Sequence, residues 1–144
     1  MKIAILGYGR MGHEVERQAE QRGHEIAAVF DIDKPFTPES DLNGAETVIS
    51  FTLADAVMEN CKTAAALGVP IVEGTTGWYD QFDEVNSYRE KKDGTLFYAT
   101  NFSVGVNLFF KLSELLATMM NEQGQYHAQV HEVHHRSEER RVGK

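Results

Sequence analysis

The sequence predicts an α/β fold: a Rossmann-like doubly wound parallel sheet, followed by the start of a second, α+β unit. Three observations lead there. Short apolar runs alternate with helical patterns as far as Ala99. The first run ends in G-x-G-x-x-G, at Gly7, Gly9 and Gly12. Near Asn101 the alternation stops and a long apolar stripe begins.

The elements follow in order. "KIAIL" is a short apolar run before Gly7 and reads as a buried strand. Met11, Val15 and Ala19 are spaced four apart, one face of a helix that Gly23 ends. "EIAAVF" is a second strand that stops at Asp31. "DIDKPFTPESDLNG" is a polar loop with two of the three prolines, and "ETVISF" is a third strand. Leu53, Val57, Cys61 and Ala64 mark a second helix, ended by Gly68. "VPIVEG" is a fourth strand, with Pro70 at its start, where a missing N–H is tolerated. Tyr79 to Lys92 reads as a charged surface helix and "TLFYA" as a fifth strand. Beyond Asn101, Leu108, Phe109, Leu112, Leu115, Leu116 and Met119 make a strongly amphipathic helix, expected to pack its stripe in a core and to end near Gly124. Tyr126, Ala128 and Val130 alternate, which is strand periodicity. A dinucleotide-binding domain is therefore expected over 1–103, the incomplete start of a substrate domain over 104–136, and an atypical tail over 137–144.

Composition narrows the class. The 144 residues suffice for one compact domain, and 42% apolar with 25% charged residues is ordinary for a soluble protein. A formal net charge of −8 disfavours nucleic acid, whose binding rests on Lys and Arg neutralising phosphates. The single Cys61 excludes an internal disulfide framework and fits a reducing, cytoplasmic compartment. No apolar run approaches the roughly 18 residues of a membrane span, and "MKIAILGYGR" lacks a signal-peptide cleavage site.

The glycine loop carries the first chemistry. The first glycine makes a tight turn, the second lets backbone approach a pyrophosphate, and the third lets helix pack on strand. The helix N-terminus then offers free N–H groups and partial positive charge to phosphates. The bland alternative is a tight turn that binds nothing. Asp31 stands near the roughly 20-residue offset at which an acid takes the ribose hydroxyls. Its carboxylate repels a 2′-phosphate and slightly favours NADH over NADPH, a preference that Lys34 softens. The bland alternative for Asp31, less favoured, is a solvated loop acid. Three more loops, "SFTLAD", "GTTGW" and "ATNFSVGVN", leave the carboxyl ends of strands, where open α/β sheets bind ligands.

"GYGRMG", "SFT", "EGTTGW", "ATNFSVGVN" and "EVHH", in this order and spacing, resemble the dihydrodipicolinate reductase family, up to about residue 136. The glycine loop has one residue fewer than the commoner form of the family, and Thr100 stands where many members have proline. The resemblance implies NADH or NADPH as cofactor and a cyclic dicarboxylate as substrate, reduced on the diaminopimelate route to lysine. It implies that Gly7, Gly9, Arg10, Met11 and Gly12 hold the pyrophosphate and Asp31 the adenosine ribose. Phe51, Thr52, Gly74, Thr75 and Thr76 would border the nicotinamide and its ribose, with Asn101 and Phe102 closing over the cofactor at a hinge. The family's homotetramer is built on its second domain, which makes assembly doubtful for this chain.

"HEVHH", residues 131–135, also fits the zinc-protease pattern H-E-x-x-H, which needs both histidines on one helical face. Strand spacing would instead separate His131 from His135 by about 13 Å, too far to share a metal, and no metal site is expected. The resemblance implies that His134 is the proton donor and that His135 helps hold the substrate. An imidazole titrates near neutral pH and suits that task. Without the resemblance, both are solvated strand-end histidines.

The last residues depart from the family, which carries a lysine where Glu138 stands and then a D-A-P-S-G-T carboxylate cradle. "RSEERRVGK" is charge-rich and reads as foreign sequence joined to a truncated frame, so negligible turnover is expected of the chain as written. Two other readings stay open: another dehydrogenase acting on an amino acid or aldehyde, and a nucleotide-binding module without catalysis.

Overall fold

The computed structural model describes residues 1–129, His131 and Val133. The chain divides into two compact units, Met1–Phe102 and Ser103–Lys144.

The first unit holds five strands: β1 (Lys2–Leu6), β2 (Glu25–Phe30), β3 (Thr47–Ser50), β4 (Ile71–Glu73) and β5 (Leu96–Tyr98). They form one parallel sheet in the order β2-β1-β3-β4-β5. Its helices are α1 (Arg10–Gln21), α2 (Ala54–Leu67) and α3 (Phe82–Lys91), the last entered through a 3-10 turn at Tyr79–Gln81. This is the Rossmann-like doubly wound architecture. The link from β2 to β3 has no helix and crosses back over β1. The strand order therefore reverses between β1 and β3, and their carboxyl ends diverge there.

β1 shows why its run is apolar from Ile3 to Leu6. Ile3 and Ile5 face α1 with Ala19, whereas Ala4 and Leu6 face the opposite layer with Val57, Cys61 and Trp78. A strand covered on both faces has no polar side to alternate. Truncating Ile5 to alanine would cost about 2–5 kcal/mol. Gly68 ends α2 at φ +66°, its cap N–H groups turning back to Ala64 and Ala65. Leu53 departs from its expected place on the buried face of this helix. It precedes the first turn in extended backbone and is exposed.

In the second unit, α4 (Val104–Met120) starts at Ser103, whose hydroxyl accepts the Val106 N–H. Its apolar stripe was expected in a core. Instead Leu108, Phe109, Leu112, Leu115, Leu116 and Met119 are 57–66% exposed. Among the described residues α4 is the only helix of its unit, so it has no element of its own unit to pack on. Residues 126–129 form no strand, contrary to their alternation, because no partner strand exists for them among the described residues of that unit. Val130, His134, His135 and the tail lie outside the described residues.

Candidate dinucleotide site

The site begins where β1 runs into the glycine loop. Gly7 turns the chain at φ +81°, and its N–H donates to the Phe30 carbonyl at 2.9 Å. A Cβ on Gly7 would lie 2.2 Å from the Phe51 carbonyl oxygen. A Cβ on Gly12 would lie 2.2 Å from the Gly7 carbonyl oxygen, so the third glycine lets α1 rest on the turn itself. Gly9 differs from both. Its backbone is extended (φ −82°), and a Cβ there would meet nothing within 4 Å. Gly9 is also the N-cap of α1, with no side-chain cap and no acid in the first turn. The helix therefore presents unsatisfied N–H groups and positive potential above open space, the requirement for holding a pyrophosphate.

Asp31 is fixed at the end of β2. Its carboxylate accepts the Tyr8 N–H of the glycine loop at 3.1 Å and the Ile32 N–H at 2.9 Å. Main-chain bonds between Asp31 and Lys34 in both directions close the turn behind it, and Lys34 Nζ sits 4.9 Å from the Phe30 ring. Each carboxylate oxygen retains a lone pair for a ribose hydroxyl.

A cleft of about 510 Å³ opens between these parts and β3. Gly7, Gly9 and Asp31 form one side and Phe51 and Thr52 another. Ile32, Pro35, Phe36, Leu53 and Ala56 make much of the remainder apolar, with the Asn60 amide among them. An apolar slot with a few polar groups beside a helix N-terminus suits an adenosine and its phosphates.

The remaining expected residues fall around this cleft in different ways. Arg10 and Met11 are exposed on the first turn of α1. Thr75 is buried, and its hydroxyl accepts the Thr52 N–H at 2.9 Å, so it is engaged inside the protein. The space beside Gly74 is filled by the Phe51 ring, 2.3 Å from where a Cβ would stand. Thr76, Asn101 and Phe102 are exposed and do not line the cleft, and the Phe102 ring packs on Phe97 at 5.8 Å. Sequence reasoning missed Ile32, Pro35, Phe36, Leu53, Ala56 and Asn60. Two signals were present: an apolar pair inside a charged loop, and a 53-56-60 stripe beside the core stripe of α2.

Fold and site together define a domain of the Rossmann dinucleotide-binding class. Consistent with this, the crystal structure of a probable dehydrogenase from Thermotoga maritima matches 82% of this chain and 41% of its own, at a TM-score of 0.61 and 16% identity. The model of the family described as dihydrodipicolinate reductase, N-terminus, matches residues 1–102. Proteins named 4-hydroxy-tetrahydrodipicolinate reductase are similar over 94% of the chain. The one from Christiangramia forsetii is 40% identical and matched over 56% of its length, and the one from Archaeoglobus fulgidus is 33% identical and matched over 58%. The chain belongs to the dihydrodipicolinate reductase family, and it spans somewhat over half the length of these curated relatives.

Proposed function

We propose that this chain binds a nicotinamide dinucleotide in the cleft between β1 and β3, with NADH slightly preferred to NADPH. The observation that carries the reading is the open backbone at Gly9 over the uncapped start of α1, with Asp31 fixed beside it. Gly7, Gly9, Gly12 and the first turn of α1, with Arg10 and Met11, would hold the pyrophosphate. Asp31 would accept the adenosine ribose hydroxyls. Phe51 and Thr52, backed by Gly74 and Thr75, would border the nicotinamide ribose, with Thr76, Asn101 and Phe102 near the reacting end. Bound there, the reduced cofactor would supply a hydride.

The activity proposed for the family's complete architecture is reduction of a cyclic dicarboxylate, 4-hydroxy-tetrahydrodipicolinate. His134 would deliver a proton as hydride arrives, and His135 would help hold a carboxylate. A family homotetramer belongs to the same proposal. For the 144-residue chain, Glu138 favours a second reading, nucleotide binding without turnover. A negative charge about 4 Å from a dicarboxylate costs on the order of 1–4 kcal/mol, depending on the local dielectric, and each 1.36 kcal/mol is about tenfold in rate. Fluorescence titration with NADH and NADPH tests the binding, and NADH oxidation with freshly generated substrate tests the turnover. Absence of saturable binding for either nucleotide would sink the first proposal, and family-like turnover would sink the second.

A further inference from the structure

β4 ends in Glu73, a side chain with 0% exposure. It stands in register with Ser50 of β3 on one side and Tyr98 of β5 on the other. The dinucleotide reading gives it no task. A carboxyl group withdrawn from water is costly unless its atoms find partners. Oε1 accepts the Thr75 N–H at 2.8 Å. Ser50 is the neighbour of Glu73 in the sheet, and neither Oε2 nor the buried Ser50 Oγ has a hydrogen-bond partner among the described residues.

Thr75 carries the arrangement outward. Its hydroxyl accepts the Thr52 N–H, and its carbonyl accepts the Trp78 Nε1–H at 3.0 Å. Thr52 is in the cleft wall, where its hydroxyl accepts the Asn60 amide at 3.2 Å. A continuous run of hydrogen bonds thus leads from Glu73 through Thr75 to the cleft.

We propose that Glu73 is a positioning residue for the cofactor site, held as the neutral acid, which clamps the loop after β4 so that Phe51 and Thr52 keep their places in the cleft wall. The proposal rests on the nicotinamide-dinucleotide reading of that cleft. The neutral acid suits the geometry, because its O–H can donate to Ser50 Oγ while Oε1 still accepts from Thr75. Burial pushes the Glu73 carboxyl up, against the Thr75 hydrogen bond and the neighbouring Ser50 hydroxyl, which act to lower it. Among the described residues the titratable groups facing it are Cys61 of α2, Tyr79 of the 3-10 turn and Tyr98 of β5, and a thiol or a phenol cannot be a cation. Ionisation therefore puts inside a charge that no cation among these groups pairs and that the Thr75 N–H only partly stabilises, and on this proposal the loop opens to admit water.

The test is an NADH fluorescence titration of the 144-residue chain across pH, beside Glu73→Gln and Glu73→Leu. Gln keeps the acceptor for Thr75 and a donor for Ser50 but cannot ionise. Affinity of the parent should fall about tenfold, equivalent to 1.4 kcal/mol, as pH rises through the raised Glu73 pKa. Glu73→Gln should stay flat over the same range, and Glu73→Leu should bind about tenfold more weakly throughout. The same fall in Glu73→Gln, or parent-like binding by Glu73→Leu, overturns the proposal. If the Leu variant does not fold, the Gln profile alone decides. If the parent binds no NADH, the cofactor reading is what fails, and amide hydrogen exchange then judges the clamp. Faster exchange at Thr52 and Thr75 in Glu73→Leu but not in Glu73→Gln keeps it, and unchanged protection overturns it.

Discussion

Gly9→Val separates binding from folding at the glycine loop. Its backbone at φ −82° is open to any residue, and a Cβ would meet nothing within 4 Å. The cost to the fold is the poorer N-cap preference of valine, about 1 kcal/mol. The added methyl groups would occupy the space above the N–H groups of α1, where a pyrophosphate must approach. Losing that approach should weaken NADH at least about a hundredfold, or about 2.7 kcal/mol. Gly12→Ala should behave in the opposite way. Its Cβ would stand 2.2 Å from the Gly7 carbonyl oxygen, an overpacking that costs about 1–3 kcal/mol of stability. Calorimetric titration with NADH and thermal unfolding of both variants make the comparison. Equal NADH affinity for the parent and Gly9→Val would refute the assignment of this turn to a phosphate.

Three further outcomes are expected. Asp31→Asn keeps an acceptor for the Tyr8 N–H but loses the charge, so the NADH-to-NADPH affinity ratio should fall about tenfold, as for loss of a charge-assisted hydrogen bond; an unchanged ratio in paired titrations would show that Asp31 does not read the ribose. Gly74→Ala should destabilise the chain by about 1–3 kcal/mol, because its Cβ would meet the Phe51 ring, and parent-like urea unfolding would contradict that contact. The raised Glu73 pKa means that the folded state binds a proton more tightly than the unfolded state. Its contribution to stability is therefore greatest below the ordinary value of 4.5 and declines as pH rises through the folded value. Denaturant unfolding of Glu73→Gln should lack that component of the pH profile, and identical profiles for parent and variant would remove Glu73 as its source.

The sheet was legible because its signals are local. β1 is apolar from Ile3 to Leu6 as a strand covered on both faces, and the glycines at 7, 9 and 12 announce the turn between strand and helix. The different reasons for the three glycines were not legible. Two are set by carbonyl oxygens brought close in space, one of them 44 residues away at Phe51, and spacing alone does not report such contacts. The cleft wall was half legible. Asp31, Phe51 and Thr52 stand at strand ends, whereas Pro35 and Phe36 reach the cleft only because their loop folds back from β2. The stripe of α4 predicted a helix correctly but not its surroundings, since period reports a face and not what covers it. The histidine pair His134 and His135 lies outside the described residues, so its expected role rests on resemblance.

The contact between Gly74 and the Phe51 ring makes two positions answer to one another over evolutionary time. With phenylalanine at 51, any side chain at 74 collides with an aromatic edge 2.3 Å away, so that position is closed to change. A smaller residue at 51 would release it, and the order of substitution matters: 51 must shrink before 74 can grow. The pair should therefore show sign epistasis. Gly74→Ala alone is harmful, yet in a Phe51→Leu background it should become neutral or favourable by refilling the vacated volume. A double-mutant cycle with a coupling near zero would mean that the ring swings aside, and that the two loops are less firmly interlocked than their packing indicates.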